Sequence, residues 1–297
     1  MKNAIILYIY KNPHQVNRLI EQLLSSTNDD IYVHINKLYD GIRTELVQND
    51  RVYVTRNNIP AVWYSDGLFL AIIQMLKEVI ESRKEYNHVL MISGQDMLVR
   101  DGLDDYLEKH REQIFFDVRK DNQRFARAVL LYKWPSIYKH NWQFKYHPMR
   151  ILRSLRIRIL KLGIPFRRKK IVYDTDSIEF YHNTFWGSMP FVVAKWIIDF
   201  LNKNSGFEDI YKGAILAEEK FLGTLFMMSP YKDWVKFDTN NQAHSLTFTY
   251  KVVNNHVPAL TMSDIPEIEK SEAFFARKID PDVDMDFINY YYKKFVK

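Results

Sequence analysis

Over roughly the first hundred residues, short apolar runs alternate with amphipathic stretches. Residues 4–10 form a continuous apolar run, and residues 15–24 then bring Val16, Leu19, Ile20, Leu23 and Leu24 onto one helical face. The strand signal returns at 31–35, more briefly at 52–54, and again at 88–93, where it ends at Gly94-Gln95-Asp96. Between them Leu68, Ile72, Met75, Leu76 and Val79 keep helical spacing over 68–80. Alternating strands and helices predict a Rossmann-like α/β fold, with a mainly parallel central sheet covered by helices on both faces. Ligand chemistry is then expected at the carboxyl ends of the strands, where Lys11-Asn12-Pro13, His34-Ile35-Asn36-Lys37 and Ser93-Gly94-Gln95-Asp96 fall.

Beyond about residue 112 the pattern loosens, and Tyr, Trp and Arg are dense between Phe115 and Trp142. Residues 191–201, 218–227 and 285–296 read as helices. With no tandem repeat and no Gly/Ser-rich linker, a single domain over 1–297 is expected. Its first part, 1–112, would hold a nucleotide and its second, 113–297, an acceptor. The 47% hydrophobic content suits a substantial core and argues against disorder.

The absence of cysteine removes disulfides and thiolate-bound zinc, and suits a reducing, cytoplasmic setting. Residues 4–10 lack a small-residue cleavage site and read as a buried strand rather than a leader. No apolar run approaches the roughly 18 residues of a spanning helix, so a soluble or peripheral protein is expected. The net charge of +6 favours an anionic partner. Nucleotide sugar, anionic membrane and nucleic acid all qualify, but no zinc finger, RNA-binding aromatic signature or helix-turn-helix accompanies the charge, so nucleic acid is not expected.

Glu218 and Glu219 open the helix at 218, where the helix dipole favours an ionised carboxylate of the kind a catalytic base requires. They also read as first-turn acids placed for helix stability. Arg277 and Lys278 suit a cationic clamp for a departing diphosphate, or else a surface pair with Glu272, Asp280 or Asp282. Their apolar neighbours Phe274, Phe275, Ala276 and Ile279 disfavour a merely solvated stretch.

Asp174-Thr175-Asp176 has the Asp-x-Asp spacing that can hold manganese on a diphosphate. It follows a basic stretch in the irregular half, however, not a central strand. Asp282, Asp284 and Asp286 lack the glycine and closing Glu of a calcium loop and read as cap and surface residues. The histidines show neither HxxxH nor HExxH spacing, and Walker-type, GxGxxG and GxSxG motifs are all missing.

Between 150 and 170, Arg150, Arg153, Arg156, Arg158, Lys161, Arg167, Arg168, Lys169 and Lys170 interleave with Ile151, Leu152, Leu155, Ile159, Leu160 and Ile164. This is either a basic amphipathic helix lying on the inner face of an anionic membrane or a solvated helix with a buried apolar face.

Read in order, several segments resemble the core-2/I-branching β-1,6-N-acetylglucosaminyltransferase family in its short bacterial form. They are Ile9-Tyr10-Lys11-Asn12-Pro13 with Asn17-Arg18-Leu19-Ile20, Ile31-Tyr32-Val33-His34-Ile35-Asn36-Lys37, and Val62-Trp63. The series continues through Ser93-Gly94-Gln95-Asp96, Thr184-Phe185-Trp186, Glu218-Glu219 with Thr224, and Phe275-Ala276-Arg277-Lys278-Ile279-Asp280.

The resemblance implies a GT-A type glycosyltransferase fold, a UDP-sugar donor with N-acetylglucosamine as the transferred sugar, inversion at the anomeric carbon, and no metal or other cofactor. By the same token Glu219 becomes the catalytic base. Lys278, Arg277, Lys11, Asn12, His34, Asn36, Gln95 and Asp96 become donor-binding residues, and Trp186, Phe185 and Glu218 acceptor-binding ones. The acceptor is expected to be a bacterial surface glycan or its lipid-linked precursor. The chain departs from the family at Asn36, where an Asp is usual, and at Phe185-Trp186, where paired Trp is usual. It also departs at the second diphosphate-binding cation, for which Lys251 is the candidate. A manganese-dependent transferase using Asp174 and Asp176, or a non-catalytic glycan-binding protein, are the competing readings.

Overall fold

The computed structural model describes residues 1–62, 64–135, 147–162, 168–250 and 257–296. Trp63, Trp142, Ile164, Arg167 and Lys251, with the side chains of Leu160 and Lys161, therefore lie outside the described residues. The strands are β1 (Ala4–Ile9), β2 (Asp30–Ile35), β3 (Val52–Val54), β4 (His88–Ser93), β5 (Asp96–Leu98), β6 (Phe115–Lys120), β7 (Tyr181–Pro190), β8 (Thr247–Thr249) and β9 (Phe275–Arg277). The helices are α1 (Pro13–Ser26), α2 (Gly67–Glu81), α3 (Leu103–Lys109), α4 (Gln123–Leu131), α5 (Pro148–Lys161), α6 (Phe191–Lys203), α7 (Glu218–Met228), α8 (Ile265–Lys270) and α9 (Met285–Phe295).

Six strands form the central sheet in the order β3-β2-β1-β4-β7-β6. β3, β2, β1 and β4 pair in parallel, whereas β7 runs antiparallel to both β4 and β6. The architecture is thus α/β with a mixed, mostly parallel sheet in a single Rossmann-like unit. Strand alternation divides the core. Ile5, Leu7 and Ile9 of β1 meet Val16, Leu19, Ile20 and Leu23 of α1 on one face. Ala4, Ile6 and Tyr8 meet α2, α6 and α7 on the other.

The chain runs outward from β1 to β2 and β3 and then returns to β4 on the other side of β1. In open α/β sheets such a reversal marks the ligand-binding crevice, here at the carboxyl ends of β1 and β4. Gly94 lies there, its amide bonded to the Tyr8 carbonyl at 3.0 Å. A Cβ on Gly94 would come within 2.7 Å of the Val16 side chain, so glycine lets α1 close on the end of β4.

Residues beyond 112 do not keep to one side. β6 and β7 extend the sheet, while β9 returns to pair antiparallel with β5 in a small second sheet of order β5-β9-β8. α9 packs back on α1, and its Phe287, Ile288 and Tyr291 fill a third, smaller core with Met97, Ala276 and Ile279. Among the described residues no helix is long and apolar enough to cross a membrane.

Candidate functional site

The β1–β4 crevice gathers most of the residues expected to bind a donor. Lys11 and Asn12 connect β1 to α1, Asn12 in a left-handed conformation (φ 53°) as the N-cap before Pro13. Gln95 and Asp96 follow β4, Arg277 ends β9 with Lys278 just after it, and the pairing sets Asp96 opposite Arg277.

Asp96 is fully buried, accepting from the Ser93 amide at 2.6 Å and from Arg277 Nε at 3.1 Å. Both bonds tie it to its own turn and to Arg277. Arg277 does not pair with Glu272, Asp280 or Asp282; its guanidinium lies over the Trp186 ring, 3.2 Å from the centroid. Lys11, not Lys278, pairs with Asp280, at 3.6 Å. Among the described residues Lys278 has no carboxylate within ion-pair distance. Burial lowers its pKa, and the positive charges of Lys11 and Arg277 lower it further, against a partial offset from Asp280. Gln95 accepts from the Tyr10 hydroxyl at 2.6 Å, and its buried Nε2 has no hydrogen-bond partner among the described residues.

His34 and Asn36 are committed to the backbone. His34 Nε2 accepts from the Ile59 amide at 3.2 Å, which leaves the ring proton on Nδ1, facing Thr55 Oγ1 at 3.2 Å. Burial lowers the His34 pKa to about 4, so the ring is neutral, and it stacks on Tyr8 at 5.8 Å. Asn36 donates to the Ala61 carbonyl at 2.6 Å and accepts from the Leu38 and Ala61 amides. Both residues fix the loop that follows β3 rather than offering free polar atoms to the crevice.

The expected acceptor wall stands on β7. Phe116 pairs with Gly187 and Val118 with Asn183, so Thr184, Phe185 and Trp186 together oppose Asp117 alone. Such a bulge breaks the side-chain alternation and re-aims the residues in it. Asp117 clamps it, accepting from Thr184 Oγ1 at 3.0 Å and from the Ser245 amide at 3.0 Å. Phe185 packs edge-on against Tyr8, 6.0 Å between centroids, and Trp186 donates to Ser93 Oγ at 3.3 Å.

Helix α7 presses closely on β7. A Cβ on Gly223 would meet the Asn183 Cβ and the His182 carbonyl at 3.2 Å each, and Asn183 bridges the Gly223 amide and the Glu218 carbonyl. This contact sets Glu219 beside His182, with 4.0 Å between carboxylate and ring nitrogen. Glu219 keeps 36% of its side chain exposed. The helix dipole was expected to favour its ionised form. Burial opposes that and raises its pKa, with Lys220 and Arg119 countering and Asp121 adding to the rise. Burial, with help from Lys220 and Arg119, lowers the pKa of His182 to about 4, so His182 is neutral.

Glu218 lies nearer Tyr8, on which its charge acts. It is 8% exposed, and one carboxyl oxygen has no hydrogen-bond partner among the described residues. Burial and the neighbouring Glu219 charge push its pKa up to about 8. An uncompensated buried carboxyl destabilises a fold, so helix capping does not account for it.

Asp174 and Asp176 lie apart, in the loop before β7. Asp174 accepts from the Asp176 amide and Ser177 Oγ, and Asp176 faces Arg127 at 3.8 Å and Arg168 at 3.9 Å. Among the described residues no three His, Asp or Glu side chains form a metal-holding group. Asp284 caps α9, accepting from the Phe287 amide at 2.9 Å, as its position in sequence suggested.

Sequence reasoning named Tyr10 and Ser93 only within strand-end segments and gave Asp117 and His182 no role. Tyr10 and Ser93 carried a signal, since both end predicted strands. Asp117 and His182 carried none, because β6 and β7 were not legible as strands. The chain matches no protein-family model and no curated protein.

Proposed function

We propose that this chain is an inverting glycosyltransferase of GT-A type that moves a sugar, N-acetylglucosamine in the first instance, from a UDP-sugar to a hydroxyl of a glycan acceptor. The observation that carries this reading is the set of cations at the β1–β4 crevice. Arg277 is matched by Asp96 and Lys11 by Asp280, and Lys278 has no anionic partner among the described residues. A half-buried, unpaired ammonium beside two further cations and the start of α1 suits an anion such as a diphosphate. Tyr39, half exposed and 6.1 Å from Tyr10, adds a ring against which a uracil base can pack.

In the proposed reaction the acceptor oxygen attacks the anomeric carbon and its proton passes to Glu219. The carbon–oxygen bond to UDP breaks on the opposite side, and the electron pair leaves on the diphosphate. Lys278 and Arg277 stabilise the charge that develops there. Glu219 suits the base better than Glu218, because it is partly open to solvent and Glu218 is protonated at neutral pH. A raised pKa also strengthens Glu219 as a base. Asp174 and Asp176 are occupied by their own turn and by arginines, so no second reading is favoured.

Calorimetric titration with UDP in excess EDTA tests the proposal. Binding in EDTA is the expected result. Binding that appears only with manganese would move the diphosphate away from the cationic cluster. No binding under either condition would remove the transferase reading.

A further inference from the structure

Helix α5 turns arginines inward beside Ile157, which packs on the main core. Arg153 is buried, with its guanidinium 3.6 Å from the centre of the Tyr64 ring. Arg156 lies over Trp134 at 5.0 Å and donates to the Lys133 carbonyl at 2.6 Å. The outward side is mostly apolar, interrupted by Arg158. Ile151, Leu155, Arg158 and Leu162 follow one another at i, i+4, i+7 and i+11 and so line one stripe. The Leu162 amide bonds to the Arg158 carbonyl at 3.1 Å, which carries the helical turn to the end of that stripe.

Ile151 is 55% exposed, Leu155 49% and Leu162 71%, with Leu152 at its margin 42% exposed. Val172, just after the basic segment, is 92% exposed. Scattered exposed apolar residues need no explanation, but several aligned on one helical face do.

Charge decides what covers it. No Asp or Glu occurs between Asp121 and Asp174, and the net charge of +6 is concentrated in this stretch. Arg158 is exposed within the stripe, and the exposed Arg124 donates to the Leu162 carbonyl at its end. A second copy would set this basic face against itself in a two-fold contact and be repelled. An apolar stripe interspersed with arginines suits the headgroup region of an anionic bilayer, where the apolar side chains enter the acyl boundary and the basic ones meet phosphate. At 14 residues α5 is too short to span the bilayer.

We infer that the outward face of α5, centred on Ile151, Leu155, Arg158 and Leu162, seats the protein on an anionic lipid surface by shallow insertion. This inference does not depend on the proposed transferase activity. Cosedimentation of the full chain with phosphatidylcholine–phosphatidylglycerol vesicles, against phosphatidylcholine alone, tests it. Expected is binding at least about tenfold stronger to the anionic vesicles, weakening with salt. The double variant Ile151→Ser with Leu155→Ser should bind about tenfold less well, or worse, with its melting temperature unchanged because both residues are exposed. Absence of vesicle binding, or equal binding by the variant, would overturn the inference. So would a concentration-dependent dimer that the same variant dissolves, since the occupant would then be a second copy. Loss of UDP binding in the wild-type protein would leave it standing.

Discussion

The Arg277 guanidinium lies 3.2 Å from the centre of the Trp186 ring, which joins a residue expected on the donor side to one expected on the acceptor side. Beneath it the fully buried Asp96 holds Arg277 at 3.1 Å. The three residues form one wall of the crevice, and the cation in it is positioned by a carboxylate on one side and a π-face on the other. Asp96→Asn would leave the Arg277 charge buried and uncompensated. We expect it to cost about 3–5 kcal/mol of stability, read by urea denaturation. A loss below about 1 kcal/mol would mean that Arg277 turns to solvent without penalty.

Glu219→Gln keeps the shape of the side chain and removes its basicity. Turnover with a UDP-sugar should fall by roughly 10²–10⁴, while UDP affinity stays within about twofold. Steady-state kinetics beside calorimetry separate the two effects, and near wild-type turnover would remove Glu219 from the reaction.

Lys278→Met and Lys11→Met provide an internal comparison. Lys278 lacks an ionic partner among the described residues, whereas Lys11 already pairs with Asp280. Loss of a charge-assisted contact at Lys278 should weaken UDP by about 10–100-fold. Lys11→Met should weaken it several-fold less. Equal effects would show that the Asp280 pair opens on binding.

Glu218 links stability to pH. Its ordinary pKa of 4.5 applies in the unfolded chain, and burial raises it to about 8 in the fold. Between those values the folded state holds a proton that the unfolded state has released, so stability falls as pH rises through this window. Below about 4.5 both states are protonated and no penalty exists. Glu218→Gln should therefore match the wild-type protein near pH 4 and exceed it by about 2–4 kcal/mol at pH 8–9, measured by denaturation at each pH. A constant difference across that range would place the Glu218 carboxyl in contact with water.

The strands β1, β2, β3 and β4 and the helices α1, α2, α6, α7 and α9 were legible because each rests on periodicity over a few neighbouring residues. The crevice followed from them, since strand ends and the reversal between β3 and β4 place it. Thus Lys11, Asn12, Gln95 and Asp96 were found at the crevice, but the bonds they make were not. Asp96 reads in sequence as one more strand-end acid, and only pairing with Arg277 across 181 residues makes it an internal counter-ion. His34 and Asn36 read as open polar ends of a strand until the loop through Ile59 and Ala61 closes on them.

β7 was illegible for a related reason. Tyr181–Pro190 mixes polar and aromatic residues without alternation, because the Thr184–Trp186 bulge interrupts the pleat and Asp117 on another strand holds it open. The basic segment predicted a helix, but not which side of it would face out. By itself the sequence determined the layered α/β plan and the edge of the sheet where chemistry gathers, since both follow from local apolar spacing. Only the tertiary structure decided which charges are neutralised, which glutamate is open to solvent and which face of α5 is bare. Those outcomes depend on contacts between residues far apart in the chain, and on the competition between burial and pairing that such contacts create.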